Sequence, residues 1–417
     1  MSTSPVVLAQ HRITQLAGQL PVHRAFYWLH LHQPQLRLWQ LEMLAIPAPP
    51  FGESARAAWF LERFAALGLT DVRLDDEGNA LAELSSSAAK ADQAVLLVSA
   101  HLDTVFPAGT HIDPTEEGNR ILAPGACDNA AGLTALLALI AALRFAQIVP
   151  PVSILFAANV GEEGEGDLRG IRHLFERGPY RKRIAAALAL EGSGTATLVT
   201  RALGSRRFRV TITGPGGHSW TDAAAPNPVT LLSRGITALA DLTSGPNPAR
   251  ADARTILSPG QITGGSSVNS IPAEASVSLD LRSTDPLQLD RYTSEIFCTF
   301  ERLVAHANRE NTMYSPAELL IQQIGNRPAA SLPDDSPLLH TVRAVDRHLG
   351  LRTDVRLGST DANLPLSLGI PAAAFSAGGT GGGIHTLTEW YDPSGREIAL
   401  RRLLLTLLDL AQTLPAS

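Results

Sequence analysis

The chain has 417 residues, 45% of them hydrophobic and 18% charged, with a formal charge of −6 and a pI near 6.1. That length calls for two to three domains, and the composition is that of an ordinary folded globular protein. The acidic balance argues against nucleic acid or an anionic membrane as a partner, since either would select a basic surface.

The densest basic cluster, Arg201, Arg206, Arg207 and Arg209, reads as a solvated strand end. Two cysteines, Cys127 and Cys298, make no disulfide framework and fit a reducing cytoplasm. Met1–Leu20 lacks a basic segment followed by an apolar core, so no signal peptide is expected. The longest apolar run, Thr134–Leu143, is shorter than the roughly 20 residues of a membrane span and predicts a buried helix.

Residues 1–35 carry no readable motif, although the aromatic, His- and Gln-rich stretch Arg24–Leu38 predicts a helix. Ala55–Leu67 reads as an amphipathic helix closed by Gly68, after the Pro-rich loop Ile46–Pro50. Val72–Leu74 and Ala80–Leu84 flank the turn Asp75–Asn79, a hairpin pattern. Ala94–Ser99, Val152–Ala158 and Ile184–Leu190 are continuous apolar runs, as strands buried on both faces should be. Ala130–Phe145 predicts a helix between the first two. Strands alternating with helices indicate an α/β layered fold.

At Ser205 the pattern changes. A strand at Arg207–Thr213, a helix at Pro228–Leu242, strands at Thr255–Thr263 and Ala275–Arg282, a helix at Leu287–Ala307 and a strand at Glu318–Ile324 follow in turn. That order is the β-α-β-β-α-β of a ferredoxin-like domain. The α/β pattern resumes with a helix at Pro337–Leu349, a strand at Ala372–Ser376 and a helix at Arg396–Thr413. The expected division is 1–204 and 327–417 for one domain, with 205–326 inserted into it.

Metal-binding residue types cluster where buried strands end, which is where open α/β sheets carry their sites. His101 and Asp103, in Ser99–Val105, are two apart and point to the same side in extended chain. Asp103 is placed to accept the second N–H of the His101 ring; taken alone, the motif reads more readily as a strand-end turn with a capping Asp. Asp128 and Asn129 precede an apolar helix, and a helix cap is the simpler reading of either. Glu162 and Glu163, in Gly161–Gly166, are adjacent carboxylates after a buried strand, where their repulsion needs cations or solvent. Glu191 ends another buried strand, and His385 follows the glycine run 381–383. Two His with several carboxylates form a zinc-type donor set that manganese or cobalt also fits.

From Trp39 to the C-terminus these motifs, in this order, resemble the co-catalytic di-zinc exopeptidases and deacylases. That family includes glutamate carboxypeptidase, acetylornithine deacetylase, succinyl-diaminopimelate desuccinylase, aminoacylase and tripeptide aminopeptidase. The resemblance implies a three-layer α/β catalytic domain with a mixed, mostly parallel sheet. A ferredoxin-like lid and dimerisation domain would interrupt it and make the protein a homodimer. It further implies two divalent ions, zinc or else manganese or cobalt. His101 and Glu191 would hold one, Glu163 and His385 the other, and Asp128 would bridge both with a cis peptide after it. Glu162 would be the general base acting on a shared water, and Asp103 the carboxylate behind His101. In Gly214–Ser219, His218 matches a residue that reaches the partner's active site. Asn269 and Arg282 match substrate-binding positions, although Arg282 is equally suited to an ion pair with Asp280 or Glu318.

The substrate class stays open at this stage. A Glu at position 191 points to carboxypeptidases and deacylases, whereas Gly358–Asn363 and the His-Thr-x-x-Glu-Trp stretch at 385–390 look closer to uncharacterised members often grouped with the tripeptide peptidases. The expectation is an enzyme cleaving amide bonds of di- or tripeptides, with an N-acyl amino acid deacylase as the alternative.

Overall fold

A computed structural model describes residues 4–86, 93–243 and 255–414. The chain divides into two compact units, Met1–Ala202 with Ser331–Ser417, and Leu203–Ala330.

In the first unit, four strands lie side by side in parallel: Ser153–Asn159, Val95–His101, Ile184–Leu190 and Ala372–Phe375. Apart from the half-buried Ala185, all their residues are buried, which is why they read as unbroken apolar runs. The hairpin Thr70–Leu74 and Ala80–Leu84 extends one side of the sheet antiparallel. Its turn is closed by Asp75, whose Oδ1 accepts the N–H groups of Glu77, Gly78 and Asn79 at 2.9–3.0 Å. On the other side Thr197–Ala202 runs antiparallel to Ala372–Phe375 and pairs in parallel with Asp354–Gly358. The sheet is therefore mixed and largely parallel. The strands Thr197–Ala202 and Asp354–Gly358 are not evident in the sequence, because the second is exposed for most of its length and lacks an apolar run.

The helix Ala130–Phe145 is buried from Ala130 to Leu143. It packs on the central strands and against two further helices, Leu20–Leu31 and Gln33–Leu44. A helix covered on both sides has no solvent face to mark with polar residues. The N-terminus departs from expectation. Three helices, Pro5–Ala17, Leu20–Leu31 and Gln33–Leu44, stand where a single one at Arg24–Leu38 is predicted. Each carries a proline, Pro5, Pro21 or Pro34, in its first turn. Pro34 cannot donate to the carbonyl of His30, so a helix crossing His32 must end and restart there. Among the described residues no helix is long and apolar enough to cross a membrane.

The second unit is a four-stranded antiparallel sheet in the order Thr255–Gly264, Glu274–Ser283, Gly204–Thr213, Glu318–Arg327, with the helices Pro228–Thr243 and Pro286–Glu310. This is ferredoxin-like connectivity. Alternate residues such as Phe208, Val210, Val277 and Leu279 form a core with Leu232, Ile296 and Phe300 from the helices. In the arginine cluster, Arg206 pairs with Asp290 and Arg207 lies 3.7 Å from Asp280.

Candidate metal centre

The strand Val95–His101 delivers His101 at its carboxyl end, and Leu102 continues it by donating to the carbonyl of Asn159 at 2.7 Å. The neighbouring strand Ser153–Asn159 leads directly into Glu162 and Glu163. Asp103 joins the two strand ends. Its Oδ1 accepts the N–H of Glu162 at 3.0 Å, and its Oδ2 that of Glu163 at 2.7 Å. His101 Nδ1 lies 3.0 Å from the Asp103 carbonyl and 3.5 Å from its Oδ1. Asp103 thus orients the ring of His101 mainly through its backbone carbonyl, while its carboxylate holds the backbone of both glutamates. Burial alone would raise the Asp103 carboxyl; the contact with His101 and the two N–H groups outweigh it and hold it below its ordinary value.

Asp128 and Asn129 divide the roles that the sequence leaves undecided. Asn129 is the cap: its side chain accepts the N–H of Gly132 at 3.1 Å and donates to Leu190 O at 2.9 Å. A Cβ on Gly132 would fall 2.3 Å from that same carbonyl, so the close packing requires glycine. Asp128 is joined to Asn129 by a cis peptide. Its Oδ1 lies 3.1 Å from His101 Nε2 and its Oδ2 3.2 Å from His385 Nε2. His385 Nε2 is also 3.1 Å from Glu163 Oε1.

His385 arrives by a route absent from the sequence pattern. A small antiparallel sheet pairs Thr380–Gly382 with Trp390–Asp392, and the latter with Arg120–Leu122. That pairing sets the His385 loop against the segment entering Asp128. His385 itself takes φ 65°, uncommon for a residue with a Cβ.

The donor set suits cations. The ligand atoms of His101, Asp128 and Glu163 all lie within 4.8 Å of one another. Asp128 offers one oxygen to each imidazole, the arrangement a bridging carboxylate needs. Burial raises the Glu191 carboxyl well above its ordinary range, and the charges of Glu162 and Asp128 push it further. Carboxylates that repel one another inside the fold favour bound positive charge. Burial also raises Asp128, but hydrogen bonds from both imidazoles dominate and hold it well below the carboxylate range. His101 is raised well above 6.5 because Asp103 and Asp128 outweigh its burial. Glu191, at the end of Ile184–Leu190, stands outside the close set and meets it through these charges.

A pH effect follows for metal-free protein. Hydrogen bonds to Asp128 first and Glu163 second raise His385 from 6.5 to about 10. A raised imidazole stabilises the fold fully below the unfolded pKa, and the contribution is lost as pH rises through the folded one. The chelated protein is therefore expected to melt at progressively lower temperature between pH 6.5 and about 10. His385→Asn should lessen that trend, with the raised His101 supplying what remains, and an unaltered slope in the variant would refute the contact.

The remaining candidates belong to the second unit. Gly217–His218 pairs with Ser270–Ile271, and Ser219 N donates to Asn269 O at 3.0 Å, so His218 and Asn269 are neighbours. His218 Nδ1 accepts the N–H of Trp220 at 3.2 Å. Arg282 Nε pairs with Asp280 Oδ2 at 2.7 Å, the ion pair foreseen as one of its two uses.

Three residues at the centre escaped the sequence reading. Glu389 and Gln40 both bond the backbone of the Asp128 loop. Asp361 accepts from Asn159 at 2.8 Å and acts electrostatically on Glu191. Only Glu389 and Asp361 lie in stretches that stand out in the sequence; Gln40 sits on a helix with no distinguishing motif.

The family described as Peptidase family M20/M25/M40 matches residues 97–409. The chain belongs to this family. It is accordingly a metallohydrolase of the M20 type, in a family of dinuclear metal peptidases and hydrolases. A comparison with curated proteins gives no match. Among solved structures, a tripeptidase from Staphylococcus aureus is similar at 23% identity and TM-score 0.73, over 91% of this chain and 99% of that one. Aminopeptidase PepT from Bacillus cereus is similar at 19% identity and TM-score 0.70, over 91% and 99%. The Bacillus subtilis protein YXEP, a dinuclear metal-binding peptidase of the M20 family, is similar at 15% identity and TM-score 0.65, over 91% and 99%. At these identities the likeness is one of fold, and the M20 catalytic and inserted units are both present in it.

Proposed function

We propose that this M20 protein hydrolyses amide bonds of di- or tripeptides with a pair of divalent ions, zinc or else manganese or cobalt. The observation that carries the reading is Asp128, whose two oxygens face two imidazoles beside a Glu162–Glu163 pair aimed by Asp103. His101 and Glu191 would hold one ion, Glu163 and His385 the other, with Asp128 shared. When bound, the ions supply Lewis acidity toward the scissile carbonyl and acidify water.

The chain's own residues manage the protons. Glu162 takes a proton from the attacking water on its carboxylate and returns it to the departing amine nitrogen. Asp103 keeps Glu162 in place through its backbone N–H and keeps the His101 ring in register. Because His218 Nδ1 accepts a backbone N–H, its proton resides on Nε2, where it can donate to a developing oxyanion. Asn269 and Arg282 would bind the substrate's polar end, with Arg282 exchanging Asp280 for a carboxylate. The inserted unit would form a homodimer and bring His218 to the partner's site.

The peptide reading is supported by the likeness in fold to the solved tripeptidase and to aminopeptidase PepT. Glu at position 191 favours a second reading, an N-acyl amino acid deacylase. A panel of di- and tripeptides and of acetyl and succinyl amino acids, assayed after metal reconstitution, separates the two. Release of an amino acid from peptides alone is the expected result; turnover of acyl conjugates alone would replace it with the deacylase.

A further inference from the structure

Glu389 is buried below the His385 loop, and its carboxylate gathers three backbone N–H groups from a single loop. Oε1 accepts Cys127 and Asp128, both at 2.8 Å, and Oε2 accepts Gly125 at 3.0 Å. Its own carbonyl accepts Ala123 N–H at 3.1 Å. Gln40 holds the same loop by its other polarity: Nε2 donates to Ala126 O at 3.0 Å, while Oε1 accepts from buried Arg396 at 3.3 Å. Three converging N–H donors suit a carboxylate, which offers acceptors on both oxygens and no donor. An amide in that place would turn an NH₂ against at least one N–H.

The loop so held carries the carboxylate that meets both imidazoles, and a small rotation of its backbone would take Asp128 off one of them. We propose that Glu389 is a positioning residue: by clamping the backbone of Gly125–Asp128 it aims Asp128 at His101 and His385 and so sets the affinity of the centre for its ions. This inference rests on the metal-site reading above. Groups that orient ligands in this manner change metal affinity or activity by roughly 10–100-fold when replaced. A merely architectural Glu389 would instead lower the melting temperature and leave the affinity of the folded protein unaltered.

The test is a Co²⁺ titration of metal-free wild type and Glu389→Gln, followed by calorimetry and the visible absorption of bound cobalt. The variant is expected to keep its circular dichroism, to bind Co²⁺ roughly 10–100-fold more weakly and to show a shifted cobalt band. With metal in excess, kcat should fall while KM holds. Equal affinity and an identical band would overturn the inference. Should Glu389→Gln not fold, Gln40→Met removes the opposite grip, with Co²⁺ binding expected to weaken roughly 2–10-fold; unchanged binding there overturns it equally. A wild type that takes up no cobalt defeats the metal-site reading and this inference together. A wild type that loads cobalt beside a variant of equal affinity defeats this inference alone.

Discussion

Glu162→Gln is expected to lower kcat by roughly 10²–10⁴-fold, the usual contribution of a general acid–base group, while leaving metal content and fold intact. The replacement is nearly isosteric and keeps the backbone N–H that Asp103 accepts at 3.0 Å. Glu163, one residue on, keeps its own bond to Asp103 at 2.7 Å and its place against His385. What the amide lacks is a site that can take and return a proton. The paired measurement is turnover of a peptide substrate by the metal-reconstituted protein together with metal content by mass spectrometry. KM should change little, because in its proposed role Glu162 acts on the proton in flight. A variant with full metal and near-normal kcat would move the proton-carrier role to another residue.

Asp128→Ala should have the second large effect, and by a different route. Asp128 meets the imidazole of His101 with one oxygen and that of His385 with the other. Its loss leaves His101 with Asp103 and His385 with Glu163. On the proposed assignment the two ions then no longer share a ligand. Retention of a single ion at most is expected after dialysis, with activity down by at least roughly 10²-fold, beyond the range for groups that only orient ligands. Circular dichroism serves as the control for folding. Retention of both ions with ordinary turnover would show that Asp128 does not join them.

The two variants differ in what survives. Glu162→Gln yields a loaded, slow protein, and Asp128→Ala a depleted one. Glu389→Gln falls between them, because it alters the aim of Asp128 without removing a donor.

Much of the catalytic sheet was legible from local pattern. Ser153–Asn159, Val95–His101 and Ile184–Leu190 are buried on both faces, and such strands must be apolar throughout. Where each run stops, His101, Glu162 and Glu191 stand out for being polar at the edge of the core. The ferredoxin-like order of the second unit was legible for a similar reason, since its strands alternate and its helices are amphipathic. Other features left no local trace. The strands that bring His385 to Asp128 are three residues long, too short for any period. Whether Asp128 or Asn129 caps the helix turns on Leu190 O, which is supplied by a strand some sixty residues away. Glu389 meets Asp128 across 261 positions, and Gln40 meets Ala126 across 86.

The sequence by itself determined which segments are buried and which polar residues end them, because burial sets composition residue by residue along the chain. The family resemblance grouped His101, Asp128, Glu163 and His385, but only the tertiary structure decided how they contact one another and which groups aim them. Such meetings depend on the order of strands and on backbone hydrogen bonds between distant segments, and neither is written in the periodicity of any one of them.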